Sequence, residues 1–135
     1  MKRILLLLSI LLSTLTFAKP KVYFNFKTFY TPEQTPYITT MLQFSGGTLK
    51  YFSAYGGLQS TIEVTQIFKL NDSIVLADKY VLNSPIMRDS IVEDFFDIQN
   101  YGLATGDYDY ELMVKDLTSG ESISGGQRIL VRTNQ

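Results

Sequence analysis

Two groups of acidic residues are the side chains that come closest to a chemical site in this sequence. They are Glu93, Asp94 and Asp97, followed by Asp107, Asp109 and Glu111. Paired carboxylates act as acid and base in glycosidases, and carboxylate oxygens are ligands for calcium. The simpler interpretation is that the second group lines the solvated face of a strand, where charges also discourage edge pairing.

The chain of 135 residues contains no His and no Cys. A Ser-His-Asp triad, a Cys nucleophile and a zinc site with the usual ligands are therefore excluded. We accordingly expect a non-catalytic protein with no cofactor and no metal. A carboxylate-dependent glycosidase, which would use Asp97 or Asp109, is the catalytic alternative.

Three aromatic residues gather in front of the Gly56-Gly57 pair, and they are Tyr51, Phe52 and Tyr55. An exposed aromatic loop can stack on a sugar or dock a protein partner. The alternative is that these rings fill the core. They are the candidate contacts for a partner or a sugar.

The elements that would hold these residues are strands, and residues 103–116 give the clearest signal. Apolar residues alternate with charged ones at period two, as in a half-buried antiparallel strand. The inward-facing residues are Tyr108, Tyr110, Leu112 and Val114.

The lead-in to this strand has the spacing of a tyrosine corner, formed by Leu103, Gly106 and Tyr108. In such a corner the Tyr hydroxyl bonds to backbone a few residues upstream. We expect Gly106 to let the chain turn and Tyr108 to make this bond. The Tyr110 ring should fill space between two sheets, with a hydroxyl of little importance.

Alternation and turn residues predict further strands along the chain. The predicted ranges are residues 21–30, 37–44, 48–54, 58–70, 74–82 and 91–99, with a last strand at Ile123 or at residues 129–131. A helix is the alternative for residues 90–100. The pairs Gly46-Gly47, Gly56-Gly57 and Gly125-Gly126 are predicted to be turns, and the last pair also fits a bulge. The predicted fold is all-β, an immunoglobulin- or fibronectin-III-like antiparallel β-sandwich of seven to nine strands in a single domain, residues 19–135.

Residues 1–18 have the pattern of a secretory signal peptide. Lys2 and Arg3 precede a short apolar run, and small residues stand at Thr16 and Ala18. The apolar run is too short for a membrane anchor. The whole chain has 12 basic and 13 acidic residues, so loss of Lys2 and Arg3 gives a net charge of −3, which disfavours nucleic acid as a partner.

Several short motifs resemble the N-terminal β-sandwich region of GWxTD-domain proteins, which are exported proteins of Bacteroidetes-type bacteria. The motifs are Phe26-x-x-Phe29-Tyr30-x-Pro32, Pro36-Tyr37-Ile38, Asp78-Lys79-Tyr80-x-Leu82-x-Ser84-Pro85, Asp94-Phe95-Phe96-Asp97-Ile98 and Leu103-x-x-Gly106-x-Tyr108. The resemblance covers about residues 22–118. The chain has no Trp, so the segment that names those proteins is absent. The resemblance implies a place outside the cytoplasm, in a bacterial cell envelope.

These observations predict an exported, non-catalytic module that binds a partner or forms part of a cell envelope. It would lie in the periplasm, in the outer envelope or outside the cell, and its partner would be an envelope protein or a glycan. The alternative is a carbohydrate-binding module that uses Tyr51, Phe52 and Tyr55. An exposed aromatic platform would favour the sugar, and a flat, unpaired edge strand would favour a protein.

We expect cleavage between Ala18 and Lys19, because the small residues precede that bond at the spacing that signal peptidase requires. Mass spectrometry of the protein purified from envelope fractions should find Lys19 as its first residue. An intact Met1 in those fractions would contradict export by cleavage.

Overall fold

The computed structural model describes residues 19–132, so the predicted signal peptide lies outside the described residues. Nine strands and one short 3₁₀ helix, Gly46–Thr48, make up the regular structure of this part of the chain. The strands are β1 (Val22–Tyr30), β2 (Pro36–Phe44), β3 (Phe52–Ala54), β4 (Gly57–Gln59), β5 (Thr61–Leu70), β6 (Ser73–Asn83), β7 (Phe95–Gly102), β8 (Gly106–Asp116) and β9 (Ser122–Val131). None of the described residues forms a helix that is long and apolar enough to span a membrane.

All strand pairs are antiparallel, and the all-β prediction is confirmed. One sheet has three strands in the order β1-β2-β7, and a second has four in the order β6-β5-β8-β9. The strands β3 and β4 form a separate hairpin between β2 and β5. Neither large sheet closes on itself, so β1, β7, β6 and β9 are edge strands.

The two large sheets share one hydrophobic core. The inward-facing residues of β8 are buried as the alternation predicts, and Tyr110 stacks on Phe24 of β1 with ring centroids 4.5 Å apart. A second aromatic contact across the gap joins Phe68 of β5 to Tyr101 of β7 at 5.5 Å. Aromatic rings therefore fill the space between the sheets.

The hydroxyl of Tyr108 donates a hydrogen bond to the backbone oxygen of Ala104 at 2.6 Å, four residues upstream. Leu103 is buried beside it. Gly106 does not adopt a left-handed conformation, so the chain does not turn there through a positive φ. A Cβ at Gly106 would lie 3.3 Å from the Tyr108 ring, so the glycine makes room for that ring.

The Tyr110 hydroxyl has a buried partner that the sequence did not indicate. This hydroxyl donates a hydrogen bond of 2.8 Å to Oε1 of Gln66, whose side chain is fully buried. The amide nitrogen of Gln66 donates in turn to the Tyr80 hydroxyl at 2.9 Å. Both ends of a buried amide are thus occupied, which removes the penalty of an unpaired polar group.

Tertiary contacts change three of the predicted strands, and the first two lie next to each other in the chain. The stretch 48–54 is a strand only from Phe52, and the stretch 58–70 is interrupted at Ser60. Ser60 is buried, its N–H donates to the Ser84 hydroxyl, and its carbonyl accepts from the Ser84 N–H. These bonds mark the point where the chain passes from the small hairpin to the four-stranded sheet.

The segment 91–99 begins its strand at Phe95 and continues to Gly102, so the helical alternative is wrong. Asp94 instead accepts a hydrogen bond from the Gly46 N–H at 2.9 Å. A Cβ at Gly46 would lie 2.2 Å from the Glu93 carbonyl oxygen, so this glycine allows the two segments to touch. Gly46-Gly47 therefore belongs to the 3₁₀ helix rather than to a hairpin turn.

The pair Gly125-Gly126 is neither a turn nor a bulge. Both residues lie inside β9, in continuous register with Leu112 and Glu111 of β8. Gly125 lies on the inner side of β9 but is exposed, and it has no side chain to cover the core beside it. An apolar groove of about 230 Å³ therefore opens between the edges of β1 and β9, with Val22 and Phe24 on one side.

We expect Tyr110→Phe to lower the free energy of unfolding by about 1–3 kcal/mol, because it leaves the buried oxygen of Gln66 without its donor. Tyr108→Phe should cost about 0.5–1.5 kcal/mol, because it removes one hydrogen bond to the carbonyl of Ala104, an exposed residue. Tyr55→Phe is the matched control, since Tyr55 is exposed. Urea melts at neutral pH measure the three midpoints. A neutral Tyr110→Phe would mean that Gln66 has another donor.

Candidate binding surface

The three aromatic residues singled out in the sequence do not form one platform. The hydroxyl of Tyr51 donates to the Gly46 carbonyl oxygen at 2.9 Å, and its ring packs against the core. Burial, reinforced by the nearby carboxylates of Asp116 and Asp94, raises the pKa of Tyr51 to about 12. Only Phe52 and Tyr55 are exposed, at 39% and 84%.

Tyr55 lies at the tip of the β3–β4 hairpin, beside an open groove of about 630 Å³. The hairpin itself forms one wall, and Met87, Asp89 and Ser90 contribute to the other. One fully exposed ring beside a wide groove offers a single stacking surface. This arrangement supports a sugar site less well than three rings in one plane would.

The acidic residues of the second group take part in ion pairs on the outer face of the four-stranded sheet. Arg128 lies between Asp107 and Asp109, at 2.8 and 3.1 Å, and Lys69 bonds Glu111 at 2.9 Å. The hydrogen bond from Arg128 holds the pKa of Asp107 below its ordinary value. These carboxylates have cationic partners on neighbouring strands, as expected of a solvated strand face.

The first acidic group does not join the second. Asp97 faces the space between the sheets, whereas Asp109 is on the outer face of the four-stranded sheet, so these two do not face each other as a catalytic pair. The described part of the chain contains no group of three or more carboxylate, His or Cys side chains that could hold a metal ion.

The sequence predicted a strand in this region but did not show that β7 is an edge strand of its sheet. Among the described strands it pairs with β2 alone, and its other edge carries no partner strand. Edge strands are usually protected by a charge that points outward or inward, by a proline or by a bulge. The other three edge strands each carry a cationic side chain, which is Lys27 in β1, Lys79 in β6 and Arg128 in β9. The one charged residue of β7 is Asp97, which points inward.

Hydrogen bonds to the four-stranded sheet decide which side chains of β7 face inward. The Tyr80 hydroxyl of β6 donates a short hydrogen bond to Asp97, and the Tyr101 hydroxyl donates to Asp78 of β6 at 2.6 Å. Phe95 is also buried, stacked on Phe44 with ring centroids 5.0 Å apart. Because side chains alternate along a strand, the even-numbered residues of β7 must face outward.

Two of those outward residues are large and apolar. Phe96 is 66% exposed and Ile98 is 58% exposed. On the same face Met41 lies opposite Ile98, and Tyr23 shares the row of Phe96 across Gln43. We call this set, Tyr23, Met41, Phe96 and Ile98, the β7 patch.

The outer faces of the two large sheets differ in charge. The four-stranded sheet carries the ion pairs of Lys69, Lys79 and Arg128. On the outer face of the three-stranded sheet, the strand residues include one charged side chain, Lys27, which lies over the ring of Phe29. An apolar surface next to an unpaired strand edge is typical of an interaction site.

Comparison with protein-family models and with curated proteins finds no match to this chain. The resemblance to GWxTD-domain proteins therefore stays a prediction from short motifs. Function is inferred from the surface itself, on which the β7 patch and the unpaired edge of β7 coincide.

The hydrogen bonds from Tyr80 to Asp97 and from Tyr101 to Asp78 should make the stability of the fold depend on pH in the alkaline range. Burial, together with the hydrogen bonds to Asp97 and Asp78, raises the pKa values of Tyr80 and Tyr101 above the ordinary value for tyrosine. Unfolded tyrosine ionises near pH 10, so the stabilisation is complete below about pH 10 and is lost as the pH rises toward the folded pKa values.

Urea midpoints between about pH 9 and about pH 11.5 should therefore fall with rising pH. Absorbance at 295 nm would follow tyrosine ionisation in the same samples. The Tyr80→Phe variant should show a shallower fall than the unmodified chain, which separates the tyrosine effect from that of lysine. Parallel curves for the two proteins would contradict the assignment.

Proposed function

We propose that the chain is an exported, non-catalytic binding module of a bacterial cell envelope that receives a strand of a protein partner at β7. The observation that carries this proposal is the unpaired edge of β7 beside Phe96 and Ile98. Strand addition uses the free backbone groups of such an edge for affinity and its exposed side chains for specificity.

The proposal assigns the fold to the immunoglobulin- or fibronectin-III-like sandwiches. The order β1-β2-β7 against β6-β5-β8-β9 supports this assignment, with the β3–β4 hairpin as an insertion. The hydrogen bond of Tyr108 to the Ala104 carbonyl, at the start of β8, is the kind of bond found in a tyrosine corner. Sandwiches of this type commonly serve as interaction modules, and the site rather than the fold must specify the partner.

A binding role rather than catalysis is supported by the way the acidic side chains are used. His and Cys are absent from the sequence. Asp107, Asp109 and Glu111 neutralise cations, and Asp94 and Asp97 accept structural hydrogen bonds. A glycosidase requires two carboxylates that face each other across a cleft.

Sugar binding at the β3–β4 hairpin is the second candidate. It is favoured by the exposed ring of Tyr55 next to the open groove. This candidate makes no use of β7. Variants in the β3–β4 hairpin and variants in β7 therefore distinguish sugar binding from binding of a protein strand.

Photo-crosslinking tests the β7 proposal directly. A benzoyl-phenylalanine placed at Ile98 should give a covalent adduct with an envelope protein when the mature chain is mixed with envelope extract. The same group at Met113, an exposed residue on the outer face of the other sheet, is the matched control and should give none. An Ile98→Lys variant should keep its free energy of unfolding to within about 0.5 kcal/mol in urea melts, because the side chain is exposed.

Equal adducts from both positions, or none from Ile98, would count against binding at β7. Loss of glycan retention on Tyr55→Ala, with β7 variants unaffected, would instead favour the sugar candidate.

A further inference from the structure

The strand β7 is suited to pair with a copy of itself. We infer that two chains associate about a two-fold axis by antiparallel pairing of their β7 strands, with Ile98 opposite Ile98 of the second copy. This inference rests on the proposed function, since it names the partner strand for the same edge. The pairing would join the two three-stranded sheets into one continuous sheet of six strands.

The outward-facing side chains of β7 fit this register. Phe96 lies opposite Asn100 of the second copy and diagonal to its Ile98. Diagonal neighbours on one face of a sheet are within reach of aromatic side chains. The two copies of Phe96 and of Ile98, which are exposed in the single chain, therefore form one apolar cluster across the axis.

The inward-facing side chains of β7 fit the same register because a carboxylate meets an amide. Asp97 lies opposite Gln99 of the second copy. Within one chain the Gln99 amide already donates to the Asp97 carboxylate at 3.1 Å, so the two groups are chemically matched. Each copy offers one carboxylate and one amide, and the two-fold axis pairs each with its complement.

Neighbouring registers are worse for specific reasons. Centring the axis on Asp97 would place two carboxylates opposite each other, which is destabilising. Centring it on Gln99 would place Ile98 opposite Asn100 and Phe96 opposite Gly102, and this breaks up the apolar cluster. A shift by a single residue would bring the outer face of one chain onto the inner face of the other.

The symmetry follows from the position of β7 in the molecule. An interface that uses the same strand on both chains is self-complementary and closes at two copies. The cationic edges β1 and β9 remain outside it, whereas β6 lies on the same flank as β7, to which it is joined by the bonds Tyr80–Asp97 and Tyr101–Asp78. The edge of β7 that carries no partner strand is the one that the second copy covers.

Analytical ultracentrifugation of the mature chain, residues 19–135, tests the association. We expect a dimer at concentrations from about 1 to about 100 µM, and Ile98→Lys should raise the dissociation constant by more than about tenfold, because it places two ammonium groups opposite each other. Lys at Met113 is the control and should leave the dimer intact. Circular dichroism melts establish that both variants remain folded.

Disulfide trapping tests the register, and the natural absence of cysteine makes single-cysteine variants clean probes. Ile98→Cys should form a disulfide between two chains on mild oxidation, since directly opposed residues bring their Cβ atoms to about 5 Å. Phe96→Cys should not, because its two copies are offset by four residues along the strand, about 13 Å. The double variant Phe96→Cys/Asn100→Cys should link again.

A monomer over the whole concentration range would overturn the self-pairing. Equal disulfide yields at Ile98, Phe96 and Met113 would overturn it as well. If the chain is monomeric but Ile98 still crosslinks a different protein, the binding role of β7 survives while the second copy is ruled out as its partner. Failure of both experiments would remove both proposals.

Discussion

The buried amide of Gln66 is the group on which the arrangement of the two sheets depends. An amide in an apolar core is costly unless both its oxygen and its nitrogen find partners. Here its oxygen accepts from Tyr110 of the neighbouring strand β8, and its nitrogen donates to Tyr80 of β6. The Tyr80 hydroxyl in turn donates a hydrogen bond to Asp97 in the opposite sheet. The chain Tyr110, Gln66, Tyr80, Asp97 therefore crosses the core in one connected path, and each member satisfies the next.

This path of hydrogen bonds also fixes the register of the strands that it joins. A slip of one residue in β5 would turn Gln66 to solvent, leaving the Tyr110 hydroxyl without its acceptor and the Tyr80 hydroxyl without the donor it has in Gln66. The same path fixes β7, because Asp97 must point inward to receive the Tyr80 hydroxyl. The outward position of Phe96 and Ile98 is the consequence. In a chain without cysteine, these side-chain bonds join the sheets where many exported domains use a disulfide.

Local pattern predicted the elements whose burial alternates cleanly. The strands β1, β2 and β8 agree with the sequence and alternate in burial along their length, and β6 also agrees although Ile74, Val75 and Val81 are exposed. The break at Ser60 and the late start of β7 at Phe95 were not predictable, since they depend on hydrogen bonds to Ser84 and Gly46, which are distant in sequence. The direction of Tyr51 depends likewise on the Gly46 carbonyl. The candidate surface was hidden for a similar reason, because period-two alternation shows that β7 has apolar residues on both faces but does not show that it is an edge.

The two bonds that tie β7 to β6 also determine how the molecule bears a mechanical load. An edge strand held only by its neighbour peels away one hydrogen bond at a time under a pull from outside. Here the bonds from Tyr80 to Asp97 and from Tyr101 to Asp78 carry part of a pull on β7 into the four-stranded sheet. Tension on this edge is thus shared between both layers and opposed by several bonds at once. The flank formed by β1 and β9 opens instead as a groove at Gly125, and there the Tyr30 hydroxyl of β1 donates to the backbone oxygen of Arg132, the residue after β9, so a pull on that flank meets a bond to the main chain rather than to a carboxylate.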